Sequence, residues 1–465
     1  MTAPAGGRLA LTFKQKLAYA AGQAGNVLGY SLVTGFALRF YLPPTSGEGA
    51  GAPLVPAVFA GFIPVWFTLN LVARGLDSWW DPYVANWSDK SSHRLGRRRV
   101  FMIVGCLPLA LATAGIFFPP DPAATLRNAV FAGALLTVYY GMFSVYVAPY
   151  LALLPELAPD PKENIVLSTL QAAAALLGAL IALIAGPIVA QKAGIPAMSA
   201  VLAVISLGLL LVPIVSIDER RLAVRHEGPA STLGFLESIR ETLRDQSFLP
   251  YVIGSTLFWF GFNIIQSAAP YYVEVLMQKP LDFQAIAMAA TFGVAIVAFP
   301  FVGGAVGKYG KRRVMIFGSV LLALILFAVP LVSGPASGVA LLGASGVSVS
   351  ILLAVPNAML ADVCNASARR TGQKREAMFF GAQGLLQKVS LGLSTGLLGF
   401  LVDRFGRSIQ NPLGVKLSGP MASLALLAAA FFFFRYPERR VLNDLASSPP
   451  EGASPQSPNT ATTGA

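Results

Sequence analysis

Two aspartates four residues apart are the groups in this sequence best suited to chemistry. Asp77 and Asp81 lie in the stretch VARGLDSWWDPYVANWSDK, and a helix places both on one face, one turn apart. Arg74 shares that face. Because neighbouring carboxylates repel, one of them would hold a proton unless a cation lies between them. Hard carboxylate oxygens suit Na⁺, so the pair predicts a site for Na⁺ or H⁺. A structural salt bridge with Arg74, or ordinary solvation, is the alternative.

A lysine in the middle of an apolar stretch is the second candidate. Lys388 lies in FFGAQGLLQKVSLGLSTGLLGF, and a charge at the centre of a bilayer costs about 2.5–3.5 kcal/mol on insertion scales. Asp77 and Asp81 are interpreted as the only deep carboxylates, so we expect Lys388 to pair with them. A neutral lysine, or one that contacts backbone carbonyls, is the alternative.

Further polar side chains lie within apolar stretches and could together line a substrate cavity. Any one of them is more often an interhelical hydrogen-bonding group than a ligand contact. Two prolines, Pro270 and Pro356, predict kinks of the kind that gating helices often have. The cavity candidates are Gln23, Asn26, Tyr30, Gln171, Asn263, Gln266, Asn357 and Gln383.

The composition requires a lipid bilayer around these groups. Of the 465 residues, 55% are hydrophobic and 12% charged, whereas soluble domains carry about 25% charged residues. This balance excludes a soluble enzyme, a disordered chain and a secreted disulfide scaffold. A spanning helix needs about 20 apolar residues. Segments of that kind are predicted at 16–42, 54–82, 100–118, 126–154, 164–190, 196–216, 248–276, 284–307, 314–333, 337–361, 376–402 and 417–435.

The predicted fold class is an all-α membrane protein with twelve transmembrane helices in two pseudo-symmetric six-helix bundles. The halves echo each other, since LGRRRVFMIVG in the first resembles YGKRRVMIFG in the second. The predicted domains are an N-terminal bundle (1–216), a cytoplasmic linker (217–247), a C-terminal bundle (248–436) and a disordered cytoplasmic tail (437–465). Within the linker, SIRETLRD predicts a short amphipathic helix.

The distribution of basic residues predicts the orientation. The net charge of +12 is interpreted as the result of basic loops that orient the chain in the membrane, rather than as a sign of nucleic-acid binding. Of the 34 Lys and Arg residues, 25 lie in loops on the N-terminal side, 6 in loops on the opposite side and three within spans. Positive loops stay inside, so we expect both termini in the cytoplasm and the helices in the plasma (inner) membrane.

Patterns typical of enzymes are missing from the sequence. It contains no HExxH, GxSxG or P-loop motif, and His93 and His226 have no metal-site spacing with cysteine. We therefore expect no enzymatic activity and no cofactor apart from a coupling ion, Na⁺ or H⁺. The expected partners are a small-molecule substrate and the lipid bilayer, with no nucleic acid, and the expected oligomeric state is a monomer.

Three stretches resemble the glycoside–pentoside–hexuronide:cation symporter family of the major facilitator superfamily. They are ARGLDSWWDPYVANWSDKSSHRLGRRR, ADVCNASARRTGQKREAMFFGAQGLLQK and KLAYAAGQAGN. The resemblance implies two helical bundles with alternating access. In the melibiose permease branch it implies that Asp77 and Asp81 bind the coupling cation and that a hydroxyl, here Ser144, assists. It also places the family's arginine and lysine of this region at Arg74 and Lys388.

Departures from the family pattern concern the substrate. The carboxylates that hold galactosides are replaced by Val27 and Val147, an arginine by Gln171, and an asparagine of the cation site by Trp80. The resemblance implies cation-coupled symport of a sugar or glycoside, and these replacements argue against a galactoside like melibiose. A cation-coupled transporter of a lysophospholipid or other amphiphile is the alternative, and a non-transporting membrane sensor or scaffold is the alternative of another class.

Overall fold

The computed structural model describes residues 11–59, 63–91, 93–158, 160–222, 242–371 and 376–446. These ranges are almost entirely helical, because backbone groups in lipid must pair with each other. The helices of the N-terminal half are α1 (Phe13–Tyr41), α2 (Val65–Lys90), α3 (Arg99–Gly115), α4 (Leu126–Leu157), α5 (Pro161–Leu180), α6 (Gly186–Ala193), α7 (Ile195–Ser216) and α8 (Glu219–Leu222). Those of the C-terminal half are α9 (Phe248–Tyr271), α10 (Gln284–Tyr309), α11 (Lys311–Phe327), α12 (Pro335–Thr371), α13 (Glu376–Phe405), α14 (Leu413–Arg435) and α15 (Glu438–Ala446).

Short irregular pieces connect some of these helices. A two-stranded antiparallel sheet, β1 (Val58–Phe59) and β2 (Ile63–Pro64), pairs Val58 with Pro64 before α2 begins. Two π-helical turns occur, at Ile181–Ala185 between α5 and α6 and at Tyr272–Leu276 after α9. Single 3₁₀ turns, Leu281–Phe283 and Val329–Leu331, precede α10 and follow α11.

The membrane-spanning elements follow the predicted segments. Among the described residues, nine helical segments are long and apolar enough to cross a membrane. Helices also form at the other three predicted spans, namely α1, α2 and α3. Of these, α3 has only 17 residues, and α2 carries Arg74, Asp77 and Asp81. The chain is thus an all-helical membrane protein whose charged helix α2 lies among apolar ones.

The helices pack mainly within each half, and among the described residues two helix pairs make the most extensive contacts between the halves. In the N-terminal half α1 packs on α5 and α7, α2 on α4, and α3 on α4 and α7. In the C-terminal half α9 packs on α13 and α14, α10 on α12, and α11 on α14. The pairs α2–α13 and α1–α9 cross between the halves. Both crossing pairs carry charged side chains.

Equivalent turns start α3 and α11, at the two places where the sequence pattern repeats. Gly96 and Gly310 have φ angles of 111° and 87°, which glycine adopts without the strain that a Cβ would cause. The Glu219 carboxylate accepts hydrogen bonds from the backbone N–H of Arg98 and Arg99. In the other half, Glu438 accepts from the N–H of Arg312 at 3.2 Å. A carboxylate at a helix start offsets the positive end of the helix dipole.

The predictions for prolines, linker and tail have mixed outcomes. Helix α12 runs unbroken past Pro356, whereas α9 changes to a π-helical turn directly after Pro270. The predicted start of a disordered tail at residue 437 is wrong, because α15 forms there and buries Val441. The Pro-, Ser- and Thr-rich composition behind the prediction begins only at Ala446, and before it Glu438 caps the start of α11. Residues 447–465 and the first half of SIRETLRD, residues 238–241, lie outside the described residues.

The helical array has two sides, which we call the terminal side and the far side. The terminal side is the side where α1 begins, and it carries the turns at Gly96 and Gly310. The far side is where α1 ends at Tyr41 and α9 ends at Tyr271, and the Tyr271 hydroxyl there donates to the Leu42 carbonyl at 2.6 Å. The far side also carries the loop after α1 and the loop between α13 and α14.

Candidate functional site

Helix α2 presents its two aspartates at different depths. Asp77 and Asp81 lie one turn apart, as predicted, because α2 is continuous from Val65 to Lys90. The side chain of Asp77 is fully buried, whereas 39% of the Asp81 side chain is exposed. Asp81 lies one turn closer to the terminal side. The pair therefore has one enclosed carboxylate and one that water reaches.

Lys388 lies between the two carboxylates, so the ion pair predicted across the halves is present. Its Nζ is 2.8 Å from Asp77 Oδ1 and 2.7 Å from Asp81 Oδ2. Ser144 on α4 donates its hydroxyl to Asp77 Oδ1 at 2.7 Å, and its Oγ is 3.3 Å from Lys388 Nζ. Three oxygens from α2 and α4 thus surround one ammonium group from α13.

Glycines on α13 allow this close approach on one side of Lys388 only. A Cβ added to Gly392 or Gly396 would lie 3.0 Å from the Arg74 Cβ or 2.6 Å from the Phe67 Cδ2 on α2. At Gly381 and Gly384, on the terminal side of Lys388, no described atom beyond the local helix lies within 4 Å of an added Cβ. The halves are packed on the far side of the lysine and apart on the terminal side.

Arg74 closes the cluster with a stacked and partly bonded guanidinium. Its Nη1 lies 3.7 Å from Asp77 Oδ2, and its Nη2 donates to the Tyr30 hydroxyl at 3.3 Å. The guanidinium carbon is 3.8 Å from the centre of the Tyr140 ring, a cation–π geometry. Sequence reasoning missed Tyr140, because an aromatic residue in an apolar helix usually belongs to the core. Two cations therefore face two carboxylates in this cluster.

The cavity candidates divide into bonded and unbonded groups. Asn263 donates to the hydroxyls of Ser394 and Thr395, and Gln383 accepts from Tyr251, so these two amides join helices of the C-terminal half. Gln266 is half-buried and Asn357 is exposed. In contrast, polar atoms of three N-terminal-half amides are buried without a hydrogen-bond partner: Gln23 Oε1, Asn26 Oδ1 and Gln171 Nε2.

Glu274 corrects the interpretation of Asp77 and Asp81 as the only deep carboxylates. It lies in the π-helical turn after α9, its side chain is 3% exposed, and its carboxylate contacts Arg39 of α1 at 2.5 Å. The sequence signal was present, because Glu274 falls within the predicted span 248–276 and Arg39 within 16–42. The pairing escaped prediction because the two residues are distant in sequence and each lies near the end of its span.

Comparison with known proteins decides the family. The family model described as MFS/sugar transport protein matches residues 19–434. The chain belongs to this family. The isoprimeverose transporter of Lactiplantibacillus pentosus is 23% identical, over 93% of this chain and 91% of that protein. The glucuronide carrier protein homolog of Escherichia coli (strain K12) is 22% identical, over 92% of this chain and 91% of that protein.

A solved structure supports the same fold. The crystal structure of nucleoside transporter NupG matches with a TM-score of 0.61 at 12% identity, over 91% of this chain and 98% of that chain. The predicted membership in a sugar:cation symporter family of the major facilitator superfamily is thereby confirmed. The protein is an integral membrane transporter of this family, and the cation-binding roles of Asp77, Asp81 and Ser144 stay predictions.

Proposed function

We propose that this MFS/sugar transport protein carries a sugar or glycoside in symport with Na⁺ or H⁺, which binds between Asp77 and Asp81. The observation that carries the proposal is the position of Lys388 Nζ, 2.8 and 2.7 Å from the two carboxylates. An ammonium group there occupies the place that a coupling cation would take. Since Ser144 supplies a third oxygen, the donor set matches the oxygen ligands that hard cations prefer.

Binding of the coupling cation would release Lys388 from the pair. The exposed Asp81 offers the entry point, and a cation that reaches both carboxylates lowers their attraction for the lysine. Because Lys388 belongs to α13 and the aspartates to α2, its release weakens the bond between the halves next to the cavity. Cation and substrate binding are then linked through one rearrangement, and each raises the affinity for the other by the same factor.

The charges of the cluster are balanced before a cation binds. Arg74 and Lys388 are already matched by Asp77 and Asp81. A bound cation adds one positive charge to this balance, so the loaded site could accept a neutral or an acidic sugar. The buried atoms Gln23 Oε1, Asn26 Oδ1 and Gln171 Nε2 lack a hydrogen-bond partner, and a sugar hydroxyl that reached them would supply one. These residues, with Tyr30, are our candidates for sugar recognition, and the relatives' printed names support a sugar-like substrate.

The finer architecture belongs to the same proposal. We take α1, α2 and α3 as spans together with the nine apolar segments, which makes twelve in two six-helix bundles. The terminal side is taken as cytoplasmic, because the basic turns before α3 and α11 lie there. The plasma (inner) membrane is the proposed location. The protein acts in transport rather than catalysis, and it functions as a monomer without a cofactor.

The test combines ligand screening with uptake. Sugars and lysophospholipids are screened by thermal shift, with and without Na⁺ at two pH values, since a bound ligand raises stability by mass action. The best ligand is then followed into proteoliposomes under a Na⁺ or H⁺ gradient. We expect a sugar or glycoside to accumulate only with the gradient. Stabilisation by lysophospholipid alone, or no accumulation of any ligand under either gradient, would overturn the proposal.

A further inference from the structure

A second ion pair joins the halves on the far side, away from the carboxylates assigned to the cation. The Arg39 Nη2 contacts Glu274 Oε1 at 2.5 Å, and its Nε contacts Oε2 at 2.9 Å, so the pair is bidentate. The side chains are 11% and 3% exposed. Arg39 comes from α1 and Glu274 from the turn after α9. The cation mechanism leaves this pair without a role.

The loop after α1 lies over this pair and is tied to the C-terminal half. Arg39 also donates to the Gly49 carbonyl at 3.2 Å, and any side chain at Gly49 would overlap the Glu274 carboxylate. Arg407 Nε donates to the Pro43 carbonyl at 2.8 Å, and the Ile409 N–H donates to the Ser46 hydroxyl at 2.6 Å. We call Arg39, Glu274 and residues 43–51 the far-side clasp.

The clasp closes a path that must open during transport. The halves are packed at Gly392 and Gly396, whereas no described atom beyond the local helix lies within 4 Å of a Cβ added at Gly381 or Gly384, so the space between the halves opens to the terminal side in this conformation. A substrate that enters or leaves on the far side has to pass between the halves, which are in contact there at α1–α9 and at α2–α13. Ser267 marks the α1–α9 contact, since its hydroxyl donates to the Thr34 carbonyl and the residue has no exposed surface.

The energetics of a buried ion pair suit a switch better than a general stabiliser. Removing two charges from water offsets most of their mutual attraction, so such a pair adds little net stability. Removing one partner is different, because the other charge stays buried and unpaired until the clasp opens and water reaches it. Replacing one partner with a neutral residue therefore destabilises only the conformation in which the far side is closed. Replacing both partners destabilises that conformation less.

We propose that Arg39 and Glu274 are positioning residues that hold the far side closed, and that their separation permits opening to that side. The proposal rests on transport by alternating access in this chain and does not depend on cation coupling. It assigns Gly49 the role of admitting the Glu274 carboxylate beneath the loop. Arg39 and Glu274 then set how often the far side opens, independently of which cation or sugar is carried.

The test measures access to the far side without substrate or gradient. A chain with Cys106→Ala, Cys364→Ala and Ser267→Cys, in oriented vesicles, is treated with a membrane-impermeant maleimide from the far side. We expect slow labelling in this parent chain and labelling at least about tenfold faster after Arg39→Gln or Glu274→Gln. The double variant should fall between parent and singles, and the exchanged pair Arg39→Glu with Glu274→Arg should return toward the parent rate.

A surface pair on the same side provides the matched control. Arg127 and Asp121 lie 3.3 Å apart within the N-terminal half, and the Arg127 side chain is 73% exposed. Arg127→Gln should leave labelling unchanged. Unchanged labelling in both single variants, or equal acceleration by Arg127→Gln, would overturn the proposal. If neither single variant folds, the double variant decides: labelling faster than the parent supports the clasp, and labelling equal to the parent overturns it.

Discussion

Two ion clusters join the halves of this transporter, and they are built differently. In the central cluster one ammonium, Lys388, is shared by Asp77 and Asp81, and Asp81 is 39% exposed. In the far-side clasp one guanidinium meets one carboxylate, and Arg39 and Glu274 are both nearly enclosed. Asp81 of the central cluster is partly exposed, so a dissolved cation can reach it and replace Lys388. The far-side clasp is enclosed and pairs one cation with one carboxylate, so it has two states, closed and open. The difference separates ion binding from gating.

The largest expected effect comes from removing the shared cation. Lys388→Gln leaves the buried Asp77 and its neighbour Asp81 without their ammonium, and breaking a buried pair costs about 3–5 kcal/mol. We expect a large fall in the melting temperature, and a recovery on adding Na⁺ or lowering the pH that exceeds any effect on the wild type. Thermal unfolding in detergent measures both.

A lysine outside the cluster separates this effect from a loss of charge in general. Lys192 lies at the end of α6 and is exposed, so Lys192→Gln should leave the melting temperature unchanged. If Na⁺ or low pH raises the melting temperature of Lys388→Gln no more than that of the wild type, the proposed role of Lys388 is contradicted.

The second-largest effect is expected at Gly49 in the far-side clasp. Gly49→Ala places a methyl group on the Glu274 carboxylate, and such overpacking costs about 1–3 kcal/mol. We expect faster maleimide labelling at Ser267→Cys from the far side, with unchanged stabilisation by Na⁺ or H⁺. Gly208→Ala is the control, because no described atom beyond its own helix lies near an added Cβ there. A slower rate after Gly49→Ala would count against the clasp.

A smaller effect is expected from the planar cation of the central cluster. Arg74→Lys keeps the charge near Asp77 and loses the flat stacking on Tyr140, an interaction of about 0.5–2 kcal/mol. We expect weaker substrate binding with retained coupling, measured as a raised KM for uptake. Tyr140→Phe keeps the aromatic face and should change KM less. Loss of gradient dependence in Arg74→Lys would place this residue in cation binding instead.

Sequence reasoning found the central cluster because charge within an apolar stretch is a rare signal. Lys388 lacked any other partner assigned to the membrane, which made its pairing with Asp77 and Asp81 predictable. Long apolar runs predicted the positions of the helices, because each run is long enough to cross a bilayer. The repeat of the basic turns predicted a duplicated unit, and the positive φ angles at Gly96 and Gly310 are a likeness that the structure adds.

The clasp and the π-helical turns depend on tertiary packing and carry no local pattern. Glu274 lies near the end of a predicted span, where a charge ordinarily reaches water, and only the folded chain shows that Arg39 encloses it. The stretch PPTSGEGAG at 43–51 reads as an ordinary loop. The contact of Arg74 with Tyr140 was equally hidden, since α4 is rich in aromatic residues whose facing direction depends on its neighbours.

The proposed mechanism depends on a coupling cation that replaces Lys388 between Asp77 and Asp81. The most direct measurement compares gradient-driven uptake with substrate counterflow in proteoliposomes of the wild type, Asp77→Asn and Asp81→Asn, with Asp282→Asn from the far side as control. The account predicts that both cluster variants lose accumulation against a gradient while counterflow and the folded state persist, and that Asp282→Asn behaves as the wild type. Full gradient-driven accumulation in both cluster variants would contradict it.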